Sequence, residues 1–133
     1  TLPPTATAVS ADSSLIDRGE IVDQDPDDGT TLGNDVEFDM VWTVKNTGTT
    51  TWTPGTGNCE GGYYLAFGGG ERIGSGYANW YCIKETVAPG ATTQFYVDMH
   101  TSSTTDGKYN SIWCLMNNQK KCIRMMDVTI NVN

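Results

Sequence analysis

Residues 35–46, DVEFDMVWTVKN, set Val36, Phe38, Met40, Trp42 and Val44 against Glu37, Asp39, Val41, Thr43 and Lys45. A period of two sustained over five pairs predicts a strand with one face in a core and the other toward water. TTQFYVDMH at 92–100 repeats the pattern with Phe95, Val97 and Met99 inward, and KYNSIWCLM at 108–116 puts Tyr109, Trp113 and Leu115 on one face. In the last segment, 122–133, Met126, Val128, Ile130 and Val132 alternate with Asp127, Thr129 and Asn131. Shorter strands are predicted at 15–22, 63–67, 71–74 and 79–87. Turn chemistry separates them: Asn46 with Gly48, Pro54-Gly55, the GGG run at 68–70, Pro89-Gly90 and TSSTTDG at 101–107. Seven to nine short strands at roughly even spacing predict an all-β, immunoglobulin-like antiparallel sandwich.

Composition narrows the function classes. At 133 residues the chain holds one core, and its Thr, Val, Tyr and Trp suit pleated surfaces. A net charge of -8 would repel the phosphates of nucleic acid or an anionic membrane, and no apolar run is long enough to span a bilayer. Thr1 in place of an initiator Met suggests a chain processed or excised from a longer precursor. Cys59, Cys82, Cys114 and Cys122 lack zinc-site spacing, and His100 is the single histidine. Two disulfides in an oxidising, extracellular compartment are therefore expected. Of three connectivities we favour Cys114 with Cys122 across a hairpin and Cys59 with Cys82 between a loop and the next strand.

Residues 1–22 read as a separate, extended N-terminal arm, with the sandwich occupying 23–133. TLPPTATAVSADSS has almost nothing to bury. Thr1, Thr5, Thr7 and Ser10 are candidates for O-linked sugar, and no N-x-[ST] sequon occurs. The run DQDPDDG at 23–29 opens like a calcium loop with Asp23, Asp25 and Asp27, but Asp28 stands where such a loop needs Gly and Asn34 where it needs Glu. A solvated acidic turn is the better reading, and no metal or other cofactor is expected. Available carboxylates sit in the arm and this turn, and no nucleophile elbow, metalloprotease helix or phosphate loop is present, so catalysis is not expected.

The order Phe38-x-Met40-x-Trp42-x-Val44-x-Asn46-Thr47-Gly48-x-x-x-Trp52, then Tyr64-Leu65-x-Phe67-x-Gly69-Gly70, Val87-x-Pro89-Gly90 and Gly107-x-Tyr109-x-x-x-Trp113-x-Leu115, resembles the four-tryptophan (FW) domain family. The resemblance covers about residues 32–132. It implies an Ig-like sandwich that docks peptide segments, as in selective-autophagy receptors, or belongs to a bacterial surface protein; the cysteines and leader favour the second. Trp42, Trp52 and Trp113 match the family's tryptophans. Trp42 and Trp113 fall on inward phases, whereas Trp52, Tyr77, Trp80 and Tyr81 form a candidate aromatic platform for peptide or glycan. Two functions are expected in order. The first is a subunit of a pilus-like filament, its arm docking on a neighbouring copy by strand addition through Leu2, Val9, Leu15 and Ile16. The second is a peptide- or glycan-binding module of a surface lipoprotein.

Overall fold

The computed structural model describes residues 15–133, in which eight strands form two sheets. The strands are β1 (Gly19–Asp25), β2 (Thr30–Leu32), β3 (Glu37–Asn46), β4 (Tyr64–Gly70), β5 (Trp80–Cys82), β6 (Thr92–His100), β7 (Gly107–Met116) and β8 (Cys122–Val132). One sheet has the order β1-β3-β6 and the other β2-β8-β7-β4-β5. All pairings are antiparallel except β2 on β8.

The core lies between the sheets. Met40, Trp42 and Val44 of β3 and Phe95, Val97 and Met99 of β6 face Leu65, Trp113, Leu115, Met126, Val128 and Ile130 across it, and all are buried. All but Leu65 are inward positions that the period-two pattern predicts. Tyr109, read as inward, is only partly buried against the core.

Four features differ from the sequence reading. β1 takes in residues 19–22, assigned to the arm, and 23–25, assigned to the turn. Gly19 belongs in the strand because a Cβ there would stand 3.1 Å from the Trp52 ring. The GGG run is no turn: it continues β4 opposite Ile112 and Ser111 through an irregularity between Phe67 and Gly69. Gly70 adopts φ +70, and a Cβ there would lie 2.2 Å from the Asn110 carbonyl, so only glycine lets the chain run this close. Residues 71–74 form no strand, and 79–87 shortens to β5, because Val87 leaves to make an isolated bridge with Trp52. β2 is an additional strand.

The layout fixes two ends. At the first lie the β3–β4 connection, the β7–β8 turn and residues 15–18; at the second lie the β2–β3 and β6–β7 loops and the C-terminal end of β8.

Candidate functional site

Both expected disulfides are present, Cys59–Cys82 with Cα atoms 5.4 Å apart and Cys114–Cys122 at 5.7 Å. Among the described residues no free cysteine remains, and there is no helix long and apolar enough to cross a membrane.

The first bridge shapes a groove of about 260 Å³ on the outer face of the five-stranded sheet. Its floor comes from strand register. Leu65 points into the core, so Tyr64 and Ala66 point out, and their partners Cys82 and Trp80 share that face. Trp80 remains 51% exposed, held above the small Ala66 and diagonal to the half-buried Tyr64. One wall is the glycine-rich loop carrying Asn58, Cys59 and Glu60. That loop folds back tightly: Thr56 and Glu60 exchange backbone hydrogen bonds, and a Cβ on Gly62 would lie 2.3 Å from the Pro54 carbonyl carbon. The other wall is Lys120 from the β7–β8 turn, with Asn79 at the rim. The groove thus offers an indole face ringed by amide, carboxylate and ammonium groups.

The four-membered aromatic platform does not assemble. Trp52 is fully buried and stacks on Tyr63 with ring centroids 6.0 Å apart, because Gly19 opens room for its indole. Tyr81 points inward, its ring 5.9 Å from that of Trp113 and its hydroxyl accepting from the Asp98 N–H at 3.2 Å. Tyr77 lines a separate cleft at the second end. Of these four, only Trp80 remains exposed. Asp23 and Asp25 lie in β1 and Asp27 in the following turn; no group of three metal-ligating side chains forms among the described residues. Asp28 instead accepts from Gln24 and from the Thr129 N–H.

Leu2, Val9, Thr1, Thr5, Thr7 and Ser10 lie outside the described residues. Leu15 and Ile16 are 68% and 37% exposed. The backbone beside them is held in cis: the Thr49 N–H donates to the Ile16 carbonyl at 2.8 Å, and Ile16 N–H to Thr49 Oγ1 at 2.8 Å. Asp17 ties the junction down by accepting from Thr50 Oγ1, from Tyr63 Oη at 2.6 Å and from Asn117 Nδ2 at 2.8 Å. Burial pushes the Asp17 carboxyl up, but these three donors outweigh it and hold its pKa below the ordinary carboxylate value. Nothing in the local sequence announces this knot, since its partners lie 33, 46 and 100 residues away.

A larger cleft, about 520 Å³, opens at the second end. His100 Nε2 meets Asp35 Oδ1 at 2.6 Å on its rim, and Asp35 adopts φ 57. Arg72 lies 4.8 Å over the Trp113 ring and donates to the carbonyls of Ala78 and Asp98. It straps the 71–79 segment to both sheets, and its donors are spent on backbone carbonyls and the Tyr81 hydroxyl rather than free for a ligand.

Comparison with curated proteins finds no match. Residues 26–132 match the family described as the Ig-like domain from next to BRCA1 gene. That span contains β2 to β8, both disulfides and the Trp80 groove. The chain belongs to this family of Ig-like domains.

Proposed function

We propose that this is a non-catalytic, extracellular binding module, an FW-type domain of a bacterial surface protein, whose Trp80 groove takes a saccharide. One observation carries this reading: a half-exposed tryptophan stands over a small residue in a concavity rimmed by Asn58, Glu60, Asn79 and Lys120. An exposed indole face in a concavity with hydrogen-bonding groups around it suits a sugar ring. Glu60 is the single carboxylate lining the groove, which lacks the acid pair of glycoside hydrolysis. The disulfides suit an oxidising compartment.

A glycan array with Trp80→Ala as control tests the reading. We expect a restricted set of glycans to lose at least ~10-fold in affinity while the melting temperature falls by no more than about 4 °C, since the side chain is not in the core. Binding that survives the substitution removes the groove as the site.

The exposed Leu15 and Ile16 favour a second reading, head-to-tail self-assembly into a pilus-like filament through the segment ahead of Asp17, since residues from Gly19 on are paired with β3 of the same chain. Deleting residues 1–14 then yields folded monomers. Fibres from the truncated protein, or monomeric full-length protein at high concentration, exclude it.

A further inference from the structure

We propose that the open edge of β6 docks an extended peptide strand that alternates apolar with basic residues. This surface is separate from the Trp80 groove and lies on the other sheet. Backbone geometry identifies it. The Asp98 N–H goes to Tyr81 Oη, its carbonyl accepts from Arg72, and the His100 N–H donates to the Ile73 carbonyl, so the backbone groups at 98 and 100 face away from β3. In an antiparallel strand this orientation repeats every second residue, so the N–H and C=O of Gln94 and Tyr96 face the same open side. Among the described residues they have no hydrogen-bond partner.

The usual protections of an edge are missing here. β2 and β5 are three residues long, and β1 is irregular between Ile21 and Asp23. β6 is nine residues, pairs with β3 without a bulge, and contains no Pro, Gly or Lys. Tyr81, Arg72 and the Ile73 carbonyl cap only its Asp98–His100 end. Such an edge is a template for one more strand.

Register dictates what that strand would carry. Its inward positions would extend the apolar row of Phe95 and Val97. Its outward positions would sit beside Gln94, Tyr96 and Asp98. The rows they begin are Gln94–Thr43–Asp23, Tyr96–Val41–Asp25 and Asp98–Asp39, each with a carboxylate. Asp98 and Asp39 lie directly opposite one another, an arrangement that repels and that an added cation relieves. Adjacent strands lie ~5 Å apart, so Asp98 is one spacing and Asp39 two from the new strand, within reach of a lysine or arginine side chain, while Asp23 and Asp25, three spacings away, add only a screened, longer-range attraction.

The test uses the whole chain and a blocked peptide of nine residues, the length of β6, alternating Lys and Val. Controls are a Glu/Val analogue, a peptide of residues 1–14, and a Lys/Val peptide N-methylated at alternate amides. Binding of the Lys/Val peptide should slow hydrogen exchange at the Gln94 and Tyr96 amides, fade with salt, and be lost with the Glu/Val and N-methylated forms. Gln94→Pro should weaken it at least ~10-fold. That proline removes only the outward N–H, a position edge strands tolerate, while Gln94→Ala and Trp80→Ala should bind normally. No binding, equal binding of the N-methylated peptide, protection at Trp80 instead of Gln94, or tighter binding of the 1–14 peptide would each overturn the proposal. The N-methylated peptide keeps the test decisive should Gln94→Pro fail to fold.

Discussion

Asp17→Ala should release the junction between arm and sandwich. The carboxylate accepts hydrogen bonds from Thr50, Tyr63 and Asn117, and the last two belong to buried residues that would be left without this acceptor. Hydrogen bonds to a charged group contribute ~1.5–3 kcal/mol each when sheltered; with Asp17 itself partly exposed, water replaces some of that, and about 1 kcal/mol per bond is the fitting scale. The loss is then about 2–3 kcal/mol, or a fall in melting temperature of about 6–10 °C for a domain of this size. Asp17→Asn separates charge from geometry. Because the folded-state pKa of Asp17 is depressed, its stabilisation is present above the ordinary carboxylate pKa of ~4 and fades as pH falls through the lower folded value. The stability gap between the native chain and Asp17→Asn should be widest near neutrality and shrink in acid. Urea melts at several pH values read both effects. A cost below about 0.5 kcal/mol for Asp17→Ala, or a gap that does not change between neutral and strongly acid pH, would refute the reasoning.

Gly48→Ala places a methyl 2.1 Å from the Ile16 carbonyl, so trypsin should cut after Arg18 faster than in the native chain; an unchanged rate counts against the docked junction. Trp52→Ala empties a fully buried site and should cost about 3–5 kcal/mol in urea denaturation, against about 1 kcal/mol or less for Trp80→Ala. Replacing Cys59 and Cys82 with serine should cost about 3 kcal/mol, and replacing Cys114 and Cys122 about 2.5 kcal/mol, from the 23- and 8-residue separations they close. Intact mass before and after reduction and alkylation should show no free thiol in protein purified without reductant; four free thiols would place the domain in a reducing compartment.

Where one face meets a core, the strands were legible. β6 begins at Thr92 and ends at His100, where the alternation does, and β3, β7 and β8 start or stop within two residues of their patterned segments. β2 was not legible because three residues cannot display a period, and it is held by pairing with β8, about 100 residues on. The GGG run misleads because glycine serves a turn and a close strand approach equally well; Asn110 across the sheet decides between them. Trp52 and Trp80 look alike in sequence. Only the opening at Gly19 and the pairing of Trp80 with Ala66 send one ring into the core and leave the other in water. Glu60 and Lys120 carried no signal as groove residues, since a disulfide and a distant turn bring them together.

Residues 15–18 lie at one end of the sandwich and the close of β8 at the other, so a pull between them runs along the strands. Tension would slide β1 past β3 and β8 past β7 in shear, loading many ladder hydrogen bonds together instead of opening them one by one. The disulfides would then withhold the 23- and 8-residue segments they close from the extension. Under such a load the domain would give way late and lengthen little.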